Sequence, residues 1–355
     1  MRNFKKMLLL LLVLAAGSCF FSTYVFAKEA EPVVQKIPSR PSPEKGPTEV
    51  SVVVWVVDID NIDSAAQNFM ANVYFEMEWK DPQLAHGKKD PKLYSVIDVW
   101  TPQVQIVNET GIVRRTFPEI VEVSGDGIVT YRQRFVGPFS QPLDLRDFPF
   151  DKQKFQLHFV AVGNKESEVK FIPNKQLTAI GIKDACGIAK NISLPDWTIK
   201  SCQAKRLPYS PFSQARTSAG YVLEFVAVRG ANYYILKVLT PLLLIVFMSW
   251  TVFWIDPSKF AIQMTISITS MLTLIAYRFS VDSQIPKVSY VTKLDFFILF
   301  STILIFLSLI EVVIVSQLAE ANRLALAKKI DFCSRILFPG VFFIITAVVL
   351  AIGAY

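Results

Sequence analysis

Four long apolar runs fill the C-terminal part of this chain, and they constrain its fold more than any other feature. Tyr233 to Ile255 (interrupted only by Lys237), Phe260 to Val281, Phe296 to Val315 and Ile336 to Tyr355 are each long enough to cross a bilayer core, which takes about 20 apolar helical residues. Four membrane spans are expected, at about 233–255, 260–281, 294–318 and 335–355. An even number returns the chain to the side on which it starts. Arg323, Lys328, Lys329 and Arg335 lie between the third and fourth runs, and basic loops stay in the cytoplasm. The short connection from Asp256 to Lys259 falls on the same side, and the segment before Arg229 and the C-terminus fall on the other.

Composition fits this picture. The chain is 52% hydrophobic and 19% charged, where a soluble domain carries about 25% charged residues, and a disordered chain is excluded because it needs low hydrophobicity. The net charge of +7 is spread along the chain with no block that could track a phosphate backbone, so nucleic acid is not an expected partner.

The N-terminus reads as an address. Arg2, Lys5 and Lys6 precede the apolar stretch Leu8 to Ala16, and Val25-Phe26-Ala27 ends in a small residue: a secretory signal peptide over 1–27. An uncleaved anchor, or a lipoprotein signal ending at Cys19, are the alternatives, and export follows from all three. Residues 28–47 hold Pro32, Pro38, Pro41, Pro43 and Pro47, a flexible or polyproline leader. From Thr48 to Arg229 the period is 2. Val50 to Val57, Asn72 to Trp79 and Phe155 to Phe159 read as strands, and Asp81-Pro82, Gly125-Asp126-Gly127, Gly137-Pro138, Gly163-Asn164 and Pro195-Asp196 read as turns. Many short strands without a long helical period predict an exported Ig-like β-sandwich.

The second apolar run, Ile262 to Thr273, carries too many hydroxyls for a lipid-facing helix. Thr265, Thr269, Leu272, Ala276, Phe279 and Ser283 recur every third or fourth residue and share one helical face. Two readings stay open. The hydroxyls could glue the helix to its neighbours. Alternatively, the stripe could line a pore, with a hydroxyl ring toward the cytoplasm and a Leu272 constriction that gates by dewetting. One helix cannot enclose a pore, so the second reading requires a ring of subunits.

Several motifs in order carry a family resemblance over nearly the whole chain after the leader. Trp79-Lys80-Asp81 with Leu84, and Trp100-Thr101-Pro102 followed by Asn108, resemble early strands of the pentameric ligand-gated ion channels, the Cys-loop receptor superfamily. Phe148-Pro149-Phe150-Asp151 with Gln153 resembles the signature loop of that family. Arg229, Pro241 to Ile245, Ser249-Trp250 and Phe253-Trp254 are similar to its first span, Ile285-Pro286-Lys287 to its second-to-third linker, and Glu311 to its third-span acid. The short cytoplasmic loop, about Ala319 to Asp331, and Arg335-Ile336-Leu337-Phe338-Pro339 suggest a bacterial member in the inner membrane. The cysteines that name the superfamily would fall near Gln141 and Phe155 and are absent. Cys186, Cys202 and Cys333 remain after the leader, and whether the first two pair is open.

The resemblance implies a β-sandwich followed by a four-helix transmembrane bundle, with five subunits in a ring. It implies a homopentamer in lipid that passes monovalent ions, opened by a small ligand, protons or a divalent ion. It also implies an aromatic agonist box between subunits. Tyr74, Tyr131, Tyr209, Phe212 and Tyr221 are its candidates here, although Val107 and Val162 stand where two further rings are usual, and a cation box needs ring faces. Selectivity is read toward cations. Asp256 and Asp282 would form acidic rings at the two mouths, opposed by Lys259 and by Arg278, which is expected to pair with Asp282 one turn on. Phe260-Ala261-Ile262 matches neither selectivity signature of the family. Asp63, Pro149, Asp151, Arg229, Pro286 and Lys287 match the positions that in the family couple the two domains during gating, with Asp151 and Arg229 as a charge pair; the alternative reading is that these residues only solvate the interface.

No enzyme is expected, nor any cofactor. His86 and His158 are the only histidines and lie far apart, against a clustered metal site. Asp58, Asp60 and Asp63 are not followed by a calcium loop ending in Glu, and a phosphate-binding Gly-rich loop is missing. A non-conducting, membrane-anchored sensor is the rival from another class, though an anchor needs one span and no hydroxyl stripe.

Overall fold

The computed structural model describes residues 38–174, 186–210, 217–282 and 285–351. The described residues of the N-terminal half form the strands β1 (Thr48–Asp63), β2 (Asn68–Lys80), β3 (Lys92–Ser95), β4 (Val104–Ile106), β5 (Arg114–Arg115), β6 (Ile120–Val123), β7 (Ile128–Ser140), β8 (Lys152–Lys165), β9 (Val169–Pro173), β10 (Cys186–Ile188), β11 (Trp197–Arg206) and β12 (Ser218–Arg229). One sheet runs β10-β1-β2-β7-β6-β3, with β5 paired to β7 and β9 to β1; the other runs β11-β12-β8-β4. Alternation predicts this layering well. In β2 and β7 every second residue is buried, as a sandwich with one wet face requires.

Aromatic side chains join the sheets. Phe69 of β2 meets Phe155 of β8 at 5.2 Å and Phe225 of β12 at 5.7 Å, and the last two stack at 5.0 Å. A second stack, Phe75 on Phe159 at 4.6 Å, repeats the contact further along. Ring pairs at these separations add to the area they bury. The part of the leader that is described is pinned rather than free: Arg40 donates to the carbonyls of Gly46 (2.7 Å) and Glu168 (2.9 Å) and to the Thr48 hydroxyl (3.2 Å). His86 lies in a loop and only His158 lies on a strand.

Four helices follow: α1 (Asn232–Trp254), α2 (Phe260–Val281), α3 (Lys293–Glu320) and α4 (Leu324–Ala351), each long and apolar enough to cross a membrane. α1 widens to a π-turn over Ile235–Leu239, just before Pro241, which has no N–H to donate. α4 begins eleven residues before the expected 335. Its polar start lowers hydropathy without breaking the helix, and it buries Ala327, Asp331 and Ser334. Trp250 and Phe297 both pack on Phe342, at 5.6 Å each, and Phe253 on Phe338 at 4.8 Å, which ties α1 and α3 to α4.

Candidate functional site

α2 sorts its polar residues onto two faces. Gln263, Ser267, Ser270, Leu274 and Val281 are buried; Thr265, Thr269, Leu272, Ala276 and Phe279 are exposed, Leu272 by 61% and Phe279 by 80%. Ser283 lies outside the described residues. The hydroxyls are thus divided between opposite sides of one helix, one set packed against neighbours and the other open. Gln263 donates to the carbonyls of Val252 and Ile255 at 3.2 and 3.1 Å, holding α2 to the end of α1. On the open face, Thr265, Thr269 and Thr273 turn their hydroxyl protons back to the carbonyls of Ala261, Thr265 and Thr269. That leaves their oxygen lone pairs facing out.

The acids at the two ends of α2 are partnered. Asp256 pairs with Lys328 of α4 at 3.1 Å, and its carboxyl is held down to about 2 by the Ser258 backbone N–H, the Ser258 hydroxyl and Lys328. Asp282 pairs with Lys287 at 3.4 Å. This corrects the expected Arg278–Asp282 pair, and it also turns Lys287 back toward the helix end instead of toward the β domain.

Above the bundle, the strand ends converge on Arg229, the last residue of β12. Its guanidinium donates to Asp151 at 2.7 and 3.2 Å and to the Ser64 hydroxyl at 2.9 Å. It also lies over the rings of Trp197 (4.2 Å) and Phe148 (4.9 Å). Both charges are buried, and Asp151 accepts a further bond from Gln153 at 2.8 Å. The signature-like loop, in which Pro149 is buried and follows a cis peptide bond, then reaches the third span. The carbonyls of Arg146 and Phe148 accept the backbone N–H groups of Lys293 (3.0 Å) and Leu294 (3.2 Å). First-turn N–H groups of a helix have no partner within it, so the β domain caps α3 from outside. Thr292 and Asp295 complete the cap as a reciprocal box. Lys293 pairs with Asp147 at 3.0 Å, and Tyr290 receives the Leu145 N–H at 2.9 Å while donating to the Leu143 carbonyl at 3.2 Å.

Asp63 serves its own turn, accepting the N–H groups of Ala65 and Ala66 at 2.9 and 2.8 Å. With Pro286, Asp60, Asp196 and Arg229 it lines a junction cavity of about 530 Å³. Of the six expected coupling residues, Asp151, Pro149 and Arg229 belong to the junction cluster, Asp63 and Pro286 border the cavity beside it, and Lys287 points elsewhere. Ser64, Trp197, Tyr290 and Lys293 were not anticipated. Ser64, Trp197 and Tyr290 are uncharged, and of these only the turn before Trp197 left a signal.

The four candidate agonist aromatics among the described residues do not form one group within a chain. Tyr74, half-buried on β2, donates to Glu76 and packs edge-on to Phe117 at 6.3 Å; burial first, and then Glu76, raise its phenol above the ordinary range. Tyr209 lies edge-on to His158 at 5.2 Å. Tyr131 is buried and donates to Glu119 at 3.0 Å, its phenol pushed up to about 12 chiefly by burial. Tyr221 is a correction: it is fully buried in the sandwich, against Phe171, because its strand packs on both faces. Phe212 lies outside the described residues. Val107 and Val162 are exposed.

Two family models match the chain. One, described as the neurotransmitter-gated ion-channel ligand binding domain, covers residues 35–224; the other, described as the transmembrane region of neurotransmitter-gated ion channels, covers residues 238–324. A proton-gated ion channel of Gloeobacter violaceus is 27% identical over 83% of this chain and 80% of its own length. The glycine receptor beta subunits of Rattus norvegicus and Homo sapiens are each 27% identical over 82% of this chain. The chain spans 61% of the length of those receptor subunits.

Proposed function

Since the chain belongs to the neurotransmitter-gated ion-channel family, whose members are pentameric ion channels and not enzymes, we propose that five copies of it form a stimulus-gated homopentameric channel with α2 as the pore wall. One observation carries this reading. On a helix that otherwise packs into a bundle, the face of Thr265, Thr269, Leu272, Ala276 and Phe279 is open. A five-fold ring would turn that face into hydroxyl rings below and apolar rings above, with Leu272 as the gate. The β domain would sit outside the cytoplasm, in keeping with an inner-membrane protein of a bacterium.

The permeant ion is read as a cation, from the acids Asp256 and Asp282 at the two mouths. A specific observation favours the opposite reading: both acids are ion-paired, while Lys259 and Arg278 have no ion pair among the described residues. The stimulus would act between subunits, where Tyr74 of one copy and Tyr209 of the next would share a cleft. With Val107 and Val162 as aliphatic walls, an amine agonist is disfavoured. The names of the relatives supply the first stimuli to try, protons and glycine. Planar-bilayer recording of the purified protein under acid steps and glycine tests the reading, with current expected. Silence of both wild type and a Leu272→Ser variant would favour the anchored sensor instead.

A further inference from the structure

Cys186 and Cys202 are joined by a disulfide, sixteen positions apart in sequence with Cα atoms separated by 6.3 Å. β10 belongs to the sheet of β1 and β11 to the other sheet, so the bond links the two layers of the sandwich. β10 itself is weakly held. It is three residues long, in parallel register with Val54, Trp55 and Val56 of β1, and Ala189 adds one backbone bond to the Val56 carbonyl at 2.9 Å. The Trp55 ring lies directly on Gly187, where no Cβ would fit.

The segment between the two cysteines leads to the junction. The Ser193 N–H donates to Asp58 at 2.6 Å, and Leu194 and Trp197 are buried. The Asp196 carbonyl accepts the N–H of Gly230 at 2.7 Å, and Trp197 carries the Arg229 guanidinium on its ring at 4.2 Å. The bridge therefore anchors the root of the segment whose far end supports the Arg229 cluster, directly above the start of α1.

We propose that the Cys186–Cys202 disulfide is a redox-breakable tether on the junction between the β domain and the spans: a dithiol outside the membrane that reduces it releases the 187–197 segment and loosens Trp197 and Asp196 from Arg229 and Gly230. Both cysteines are partly exposed. One thiolate of the dithiol attacks a sulfur of the bridge, breaking the S–S bond and forming a mixed disulfide. The second thiol of the reagent displaces the remaining cysteine. Cys186 and Cys202 leave as thiols, and the dithiol leaves oxidised as its cyclic disulfide. Cys333 is a free cysteine in α4 and has no part in the exchange.

Hydrogen–deuterium exchange on the full-length Cys333→Ser protein, with and without dithiothreitol, tests this, with maleimide labelling counting the thiols released. The expected result is exchange rising several-fold over 187–201 and at 229–231, with the β2 strand unchanged; local opening of this kind is what exchange reads. A Cys186→Ser/Cys202→Ser variant should reproduce the reduced pattern and ignore the reagent. Two thiols released by the reagent beyond those of the untreated protein, with unchanged exchange at 229–231, would overturn the proposal, as would a rise spread over the whole sandwich. If the bridge resists reduction, exchange at 229–231 in the double-serine variant decides the matter alone, a rise supporting the tether and no rise overturning it. The proposal rests on the channel reading only where it makes the junction a gating element. A silent bilayer combined with reductant-dependent exchange would sink the channel reading and leave the tether standing.

Discussion

Arg229 directs its guanidinium at Asp151 and Ser64 while stacking on two rings, with both charges out of water. Such a pair is poor evidence for net stability, because desolvation offsets its attraction, but breaking it strands a charge at a cost of about 3–5 kcal/mol. Arg229→Gln and Asp151→Asn are each expected to lose about that much, and the double variant less than their sum, in a double-mutant cycle by denaturant unfolding. Additive losses would mean that the two side chains do not act as a pair. His158 presents a different case. Its imidazole sits against the Leu207 carbonyl at 3.0 Å and the ring of Tyr209, and it and that carbonyl fill the place where a Cβ on residue 220, a glycine, would stand. Burial pushes its pKa below the ordinary imidazole value. The folded protein therefore binds fewer protons there than the unfolded chain, and this residue's contribution, full above the ordinary imidazole range, declines as the pH falls through it. An NMR titration should place the His158 midpoint below that of a free histidine, and a midpoint above it would refute the assignment. At this scale little was legible in advance. Asp151 and Arg229 lie 78 positions apart, and only the family likeness paired them, while Ser64 and Trp197 are neutral and leave no mark in a charge pattern.

At the level of elements, periodicity reported the helices and strands well, because burial on one face imposes period 2 or 3.6 on any chain. It was less able to separate the roles of the hydroxyls in α2. Thr265 and Thr269 stand on the open face and Ser267 and Ser270 on the buried one; both sets recur at helical spacing, so spacing alone could not say which faces a pore. The helix of α4 begins ahead of the span expected from 335 for a related reason. Lys328, Lys329 and Asp331 end a hydropathy window but not a helix, whose backbone bonds do not depend on side-chain polarity. Pairing of Cys186 with Cys202 was beyond reach, since it depends on two sheets meeting. The open face of α2 carries the prediction that belongs here. In the proposed pore, Leu272→Ser would place a hydroxyl in the apolar ring that Leu272 would form, lowering the cost of wetting it, and is expected to give standing current without stimulus. The position is 61% exposed within the chain, so the substitution should leave the unfolding midpoint unchanged. Loss of the folded protein would mean that Leu272 is a packing residue instead.

For the whole molecule, the two acid–base pairs at the ends of α2 matter because a ring would repeat each of them five times. Asp282 and Lys287 are 72% and 80% exposed, and an exposed pair of this kind contributes only about 0–1 kcal/mol to stability. Its function would lie in the field at the mouth. Five copies of a small local charge, focused by low-dielectric walls, set the concentration of ions entering. Within each chain the outer end presents Arg278 and Lys287 against Asp282, and the inner end presents Lys259 and Lys328 against Asp256. Proximity decides which sign an ion meets, and the sign can be read electrically. If the channel passes cations, Asp282→Asn should reduce single-channel conductance and move the reversal potential under a salt gradient away from the cation equilibrium, while Lys287→Gln should do the reverse. If it passes anions, the conductance changes reverse sign, while loss of the acid still moves the reversal potential toward the anion equilibrium and loss of the base away from it. Asp256→Asn should act in the same direction as Asp282→Asn, from the cytoplasmic side, and its neighbour Lys328→Gln in the direction of Lys287→Gln. Raising the salt should weaken all four effects, because exposed charges are screened beyond about 8 Å at physiological ionic strength. Four variants that leave both conductance and reversal potential untouched would remove the end charges from the permeation path and leave selectivity to the uncharged face from Thr265 to Phe279.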